Sequence, residues 1–408
     1  MSGIIDAIGG ATVVIALVKV VVVFLALMLI TIFVVYAERK VLADMQARVG
    51  PNRWGPYGML QTLADGIKLF FKEDFRPRSA DRWTYALAPI MAMVPSFLAF
   101  AVVPIGDHLT IGDRRVDFII SDLNIGILYF LAMGSLGVYG VVLAGWASGS
   151  KYPLLGSIRS SAQMISYEIA LGLSLVPIAI ATNSLSTVEI VAAQSEQIQN
   201  VDFFDGIPVL EQVAHLFEFV PNWNIWSQWP AFFIFLIAGI AETNRAPFDL
   251  PEAETELVAG YHTEYSGIRF AIFFLGEYIH VVAISAIAVT LFFGGWDGPA
   301  PDFLPWVWPM VWFLVKTAIF VYLFVWLRAT LPRLRYDRLM WLGWKRLIPA
   351  ALVWIMVTAV VNTDEVSRGA RLAIFGVLGL LILIWVGRGD PRLLQATTPS
   401  KGVRSGAA

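Results

Sequence analysis

From Ala11 to Tyr36 the chain is apolar apart from one charge, Lys19, and Glu38-Arg39-Lys40 follow almost at once. A helix of about 20 apolar residues is long enough to cross the ~30 Å hydrocarbon core of a bilayer. A secretory leader has a shorter apolar core and a small-residue cleavage site, so this run reads as a spanning helix that is retained. The same pattern recurs at 84–106, 125–147, 160–182, 227–242, 270–293, 305–327, 346–362 and 370–386, the fifth and the last two being short. Trp83, Tyr85, Trp146, Trp226, Trp229, Trp296, Trp306, Trp341 and Trp344 stand at or near their ends, at the headgroup level where amphipathic rings collect. The fold class expected is all-α, a polytopic transmembrane bundle of about nine spans.

Composition agrees with lipid as the main solvent. Only 15% of the 408 residues are charged and 58% are hydrophobic, against about a quarter charged in a soluble domain. Cysteine is absent, which rules out thiol chemistry, disulfides and cysteine-ligated zinc or iron–sulfur clusters. Of the four histidines only His280 lies in an apolar span, so no histidine pair can hold a haem between helices. A fixed metal site, a tightly bound cofactor and nucleic-acid binding are not expected of this chain.

Basic residues orient the bundle. If 37–83 faces the cytoplasm, that side also carries 148–159, 243–269, 328–346 and 387–408, and 23 of the 29 Lys and Arg fall there. Arg114, Arg115, Arg368 and Arg371 lie opposite, and Lys19 and Lys316 lie within spans. The positive-inside rule then places the N-terminus outside and, after nine spans, the C-terminus inside. Within 58–74, Met59, Leu60, Leu63, Ile67, Phe70 and Phe71 recur at helical spacing while Gln61, Asp65, Lys68 and Lys72 line the other face. This predicts a helix lying in the membrane interface, the alternative being an amphipathic helix packed on protein. The outward loop 183–226 has no Lys or Arg and is expected to carry a short helix around 186–200. The tail 387–408 has the composition of a disordered segment.

An ionisable group within a span costs roughly 2.5–3.5 kcal/mol on insertion scales and marks function or a buried ion pair. Glu168 sits in the fourth span with no basic residue within two turns, Glu242 closes the fifth, Glu277 lies in the sixth, and Lys316 is near the middle of the seventh. For Glu168 the pattern favours a station on a proton or ion path. Lys19 is close enough to the outer end of its span to snorkel to the headgroups. The loop between the fifth and sixth spans gathers Glu242, Asp249, Glu252, Glu254, Glu256 and Glu264 around a single Arg245. A helix start at Asp249 accounts for one or two of these acids. Glu252 and Glu256 stand at a repulsive i,i+4 spacing, and crowded carboxylates raise one another's pKa. The loop reads as a protonatable cluster at the bilayer surface.

Three stretches carry a family resemblance: YAERKVLADMQARVGPNRWGPYGMLQTLADGIKLFFKED after the first span, SGSKYPLLGSIRSSAQMISYEIALGLS at the fourth, and AETNRAPFDLPEAETELVAGYHTEYSG after the fifth. Together they resemble the H-subunit family of bacterial NADH–quinone oxidoreductase (respiratory complex I) over roughly 12–362. Families of this kind have eight spans, so 1–362 is taken as the shared domain and 363–408 as an added helix and tail. The resemblance implies a membrane subunit of an enzyme complex, NADH:quinone oxidoreductase, that forms the membrane side of a quinone chamber and links quinone reduction to proton translocation, with no catalysis expected of the isolated chain. Its partners would be the other membrane-arm subunits and a peripheral arm carrying FMN and iron–sulfur clusters, in a bacterial cell membrane. Ubiquinone or menaquinone would be its substrate. By motif position, Arg39, Asp65, Arg245, Phe248, Glu252, Glu254 and Glu256 would border the chamber, and Glu168, Glu242, Glu264 and Glu277 would form a proton path. The alternative is the homologous membrane protein of an energy-converting hydrogenase or formate hydrogenlyase.

Overall fold

A computed structural model describes residues 10–111, 114–195, 222–249, 258–299, 306–362 and 368–387. Among these, eight helical stretches are long and apolar enough to cross a membrane. They contain α1 (Gly10–Met45), α3 (Arg82–Ala99), α4 (Gly126–Ala147), α5 (Lys151–Thr182), α7 (Asn224–Glu242), α8 (Gly267–Phe292), α9 (Val307–Thr330) and α11 (Ile348–Val361). The short helices between them are α2 (Gln61–Phe71), α6 (Thr187–Ser195) and α10 (Tyr336–Leu342). A π-turn, Gly343–Leu347, joins α10 to α11. Two elements overrun the apolar pattern: α1 continues nine residues past Tyr36, and α5 starts at Lys151 rather than 160. Polar residues can extend a helix beyond the hydrocarbon, and hydropathy does not register that extension.

The ninth apolar run is a helix, α12 (Arg368–Gly387), whose apolar part, Ala373–Gly387, is shorter than the eight spans. It pairs antiparallel with α11 from end to end. Arg371 reaches Asn362 at one end, and Arg346 donates to the Trp385 carbonyl at 2.7 Å at the other. That guanidinium also lies 4.4 Å from the Trp385 ring and 4.8 Å from the Trp341 ring. A cation there meets the negative end of the α12 dipole. The expected tail beyond Gly387 lies outside the described residues.

The bundle is organised around α8, which is buried continuously from Val281 to Phe292. A helix apolar on every side belongs at the centre of a bundle. Without a hydrophobic drive between helices in lipid, close approach of small residues holds such bundles together. A Cβ on Gly140 of α4 would stand 2.5 Å from the Ala92 nitrogen of α3. One on Gly145 would meet Ser157 Oγ of α5 at 2.0 Å, and one on Gly156 would meet the Gly260 backbone at 2.8 Å.

Both lysines inside spans find backbone oxygens. Lys316 donates to Phe293 O at 2.8 Å, Gly295 O at 3.2 Å and Asp297 O at 2.6 Å, and lies 4.6 Å from the Trp223 ring. It seals the carbonyl end of α8, where Gly294 and Gly295 take positive φ of 69° and 52°. Asn224 Nδ2 and Gln194 Nε2 satisfy the carbonyls of Leu291 and Thr290 there. This is a structural role, which the sequence left undecided. Lys19 donates to Ile119 O at 3.0 Å rather than snorkelling to headgroups.

The outer loops include an antiparallel hairpin, β1 (His108–Ile111) and β2 (Arg114–Asp117), with His108 opposite Asp117. The short helix expected in the 183–226 loop is α6; residues 196–221 lie outside the described set. The amphipathic helix is α2. Leu63, Ile67, Phe70 and Phe71 are all exposed, while Asp65 on the other face meets Arg39 of α1. With its apolar face uncovered by the chain and its polar face anchored, α2 is disposed as an interfacial helix.

Gly140→Val should lower the unfolding temperature of the detergent-solubilised protein by several degrees, because no neighbouring side chain can move aside for the Ala92 backbone. Gly376→Ala, where an added Cβ has nothing within 4 Å, should leave it unchanged. Equal melting of the two variants, read by thermal-shift fluorescence, would contradict this packing.

Candidate functional site

Two groups of charged residues stand apart from the apolar bundle. The first joins α1 to α2. Arg39 Nη1 contacts Asp65 Oδ2 at 2.5 Å, Gln61 Nε2 donates to Asp65 Oδ1 at 3.2 Å, and Tyr36 OH donates to Tyr57 O at 3.0 Å. Burial pulls the Asp65 carboxyl pKa up. The hydrogen bonds from Arg39 and Gln61, with the charges of Arg39 and Lys68, outweigh burial and hold it below the usual carboxylate value. A depressed pKa means the pair is intact above the ordinary carboxylate range and is lost only as pH falls through the lowered value.

The second group is buried and centres on Arg245. The turn that carries it follows α7 and is pinned from two sides. Gln163 Nε2 of α5 donates to Ala241 O at 2.7 Å and to Phe248 O at 2.8 Å, and Leu334 N donates to Pro247 O at 2.9 Å. Arg245 Nε then contacts Glu277 Oε1 of α8 at 2.8 Å, and its Nη1 lies 3.8 Å from Glu38 Oε1 of α1. The guanidinium sits 4.3 Å from the Tyr278 ring centre. Tyr278 OH donates to Glu38 Oε2 at 2.7 Å, and Arg328 of α9 donates to Glu38 Oε1. Two guanidinium groups thus meet two carboxylates, which is the condition for keeping charges where water is scarce.

Toward the interior the row continues with acids lacking a guanidinium. His280 Nε2 lies 3.1 Å from Glu242 Oε1. Glu242 Oε2 is buried with no hydrogen-bond partner among the described residues. Glu242, Glu277 and His280 share the wall of a cavity of about 50 Å³ with Asn244, Tyr261 and the glycines Gly134, Gly137 and Gly276. That is room for a few waters, and the polar lining gives them partners. Glu168 of α5 accepts a hydrogen bond from Ser135 Oγ of α4, the residue next to Gly134, whose added Cβ would meet Glu242 Oε1.

The structure sorts the residues singled out from sequence. Arg39 and Asp65 form the surface pair. Arg245, Glu277, Glu242 and Glu168 fall along one row, which Arg245 joins through its contact with Glu277. Phe248 is buried 5.6 Å from the Tyr167 ring. Glu264 is half-buried, and its backbone carbonyl accepts from Tyr85 OH at 2.7 Å. Glu252, Glu254 and Glu256 lie outside the described residues. Sequence reasoning missed Glu38, His280 and Arg328. Glu38 and Arg328 stood just past their apolar runs and read as loop charges. For His280 a signal existed, since it lies three residues after Glu277 and hence on the same helix face. No group of side chains among the described residues is arranged to hold a metal ion.

A sequence model of the NADH dehydrogenase family matches residues 18–359. The chain is 52% identical over 342 residues to NADH-quinone oxidoreductase H-subunit 1 of Geobacter metallireducens, covering 84% of this chain and 94% of that one. It is 52% identical over 340 residues to NADH-quinone oxidoreductase H-subunit 2 of Geobacter sulfurreducens, covering 83% and 94%. Its identity to the NADH-quinone oxidoreductase H-subunit of Frankia alni is 49% over 377 residues, covering 90% and 78%.

Removing one member of a buried ion pair strands the other, at a cost of about 3–5 kcal/mol. Arg245→Met should therefore strongly destabilise the protein. Adding Glu277→Gln should recover part of the loss. Thermal unfolding of the single and double variants checks this, and a double variant no more stable than the single would contradict the pairing.

Proposed function

This chain belongs to the NADH dehydrogenase family, and on that footing we propose that it is the membrane subunit of a NADH–quinone oxidoreductase that walls the quinone chamber and links quinone reduction to proton translocation. The observation that carries the reading is the buried row from Glu38 and Arg245 through Glu277, Glu242 and His280 to Glu168. No structural need of a lipid-facing bundle calls for so many acids, and insertion scales penalise each one.

In this reading the isolated chain catalyses nothing. The Arg39 and Asp65 pair, Arg245, Phe248 and the Glu252–Glu254–Glu256 segment border the chamber, and the exposed apolar face of α2 adjoins lipid from which a quinone tail enters. Ubiquinone or menaquinone is the substrate, and FMN and iron–sulfur clusters belong to peripheral-arm partners. Electrons reaching the quinone leave it negative until protons follow. A unit charge about 10 Å from a carboxylate, at an effective dielectric of about 20, acts on it with about 1.7 kcal/mol, roughly one pKa unit. That suffices to change which acids hold protons. Glu264 links the chamber to the row, and the change is passed from Glu277 and Glu242 toward Glu168.

The basic loops face the bacterial cytoplasm, where the peripheral arm docks, with the N-terminus outside and the C-terminus inside. Residues 1–362 form the shared domain and 363–408 an addition to it. The hydrogenase-type alternative is not favoured by relatives that are all named as H-subunits of NADH-quinone oxidoreductase.

Glu168→Gln and Glu256→Gln, each in a fully assembled complex in proteoliposomes, should depress quinone-linked NADH oxidation and proton pumping together by about tenfold or more. Unchanged turnover and unchanged pumping in both variants would remove these residues from the path.

A further inference from the structure

His280 stands in the row with no chemical role given to it above, and it is the only imidazole there. We propose that His280 and Glu242 together form a single proton-holding station, with the imidazole carrying protons rather than only positioning the carboxylate. The inference rests on the proton-path reading and names a chemical component of it.

Three observations converge on the pair. His280 Nε2 is 3.1 Å from Glu242 Oε1, and the two side chains are 14% and 5% exposed. The other carboxylate oxygen, Glu242 Oε2, is buried without a hydrogen-bond partner among the described residues. A lone buried oxygen of this kind requires a water or a proton. The backbone of α4 has made room on the same side, since a Cβ on Gly134 would stand 3.0 Å from Glu242 Oε1 and one on Gly137 would meet nothing within 4 Å. The space opened is the cavity of about 50 Å³ that Glu242, His280 and Glu277 line together.

The surroundings isolate the pair from other cations. Glu277, one turn earlier on α8, is held by Arg245. From α5, Glu168 accepts a hydrogen bond from Ser135 of α4, the residue next to Gly134. Asn244 and Tyr261 complete the polar wall of the cavity. Among the described residues, His280 is the cation-forming group recorded in contact with Glu242, and a proton it carries can leave. The guanidinium groups of Arg245 and Arg328, by contrast, never release theirs.

The pair can hold one proton in either of two forms, imidazolium with carboxylate or imidazole with carboxylic acid, and the proton belongs to both residues jointly. Moving it between Nε2 and Oε1 leaves the total charge unchanged, so the transfer needs no new ion to be desolvated. A further proton arriving through the cavity binds Glu242 Oε2 while the Nε2–H bond is kept. The pair then holds two protons and one positive charge. Release of one proton to cavity water restores the starting state. Only N–H and O–H bonds form and break, and no electron moves.

His280→Gln, in the assembled complex in proteoliposomes, keeps a side-chain N–H donor for Glu242 and removes the titration. Quinone-linked NADH oxidation and acidification are followed from pH 5 to 9, with assembly read by native electrophoresis. The expected result is a loss of about tenfold or more in coupled turnover, together with loss of an inflection from the pH profile of the parent protein. A His280→Gln variant with parental rate and profile, or one slowed equally at every pH with the inflection kept, would overturn the inference. His280→Asn is the second variant should Gln prevent assembly, with the same two readings. Glu242→Gln separates this inference from the reading beneath it. If that variant is impaired while His280→Gln is silent, the row stands and the histidine's role falls; if both are silent, the row itself falls.

Discussion

The Arg245 guanidinium, held between Glu277 of α8 and Glu38 of α1, is the contact on which the rest of the polar interior depends. It ties three elements that are remote in sequence, and Arg328 of α9 adds a fourth by sharing Glu38. Each of these charges would be prohibitive alone within the bundle. Together they cancel, and their geometry is enforced from outside by Gln163, which anchors both sides of the Arg245 turn. Two arginines for two glutamates leave no surplus cation to quench the acids further along. Glu242 and Glu168 consequently contact a histidine and a serine hydroxyl instead. The paired charges and the acids without a guanidinium therefore lie end to end in one row, and the first positions the second.

Much of this was legible in the chain. Runs of apolar residues located the eight spans because lipid removes every competing way of satisfying the backbone. Glu168, Glu242 and Glu277 stood out because acids within such runs demand a reason, and the structure brings all three into one region. What was not legible has particular physical causes. Glu38 and Arg328 lie beyond the apolar stretch of α1 and α9 but within the helices, so a hydropathy boundary assigned them to loops. The partners of Arg245 come from helices far apart in sequence, and no spacing rule predicts such a pairing. Lys316 read equally well as an ion-pair or a functional cation. Only the end of α8, with its exposed carbonyls and positive-φ glycines, explains it.

The family model matches residues 18–359, and α12 lies beyond them. That helix is secured by the same means as the interior. A cation, Arg346, meets the carbonyl end of the helix and lies between two tryptophans. The asymmetry of basic residues along the chain also bears on the site. Acids are concentrated in and beside the 243–269 loop, on the face where Lys and Arg otherwise predominate, and the buried row starts from that acidic exception.

The central claim is that buried carboxylates of this chain change protonation when quinone is reduced. Redox-triggered infrared difference spectroscopy of the assembled complex, with glutamate carboxyl carbons isotopically labelled, measures it most directly. The account predicts glutamate carboxylic-acid bands that appear or vanish on quinone reduction and shift with the label. A difference spectrum without any label-sensitive carboxylic-acid band would contradict it.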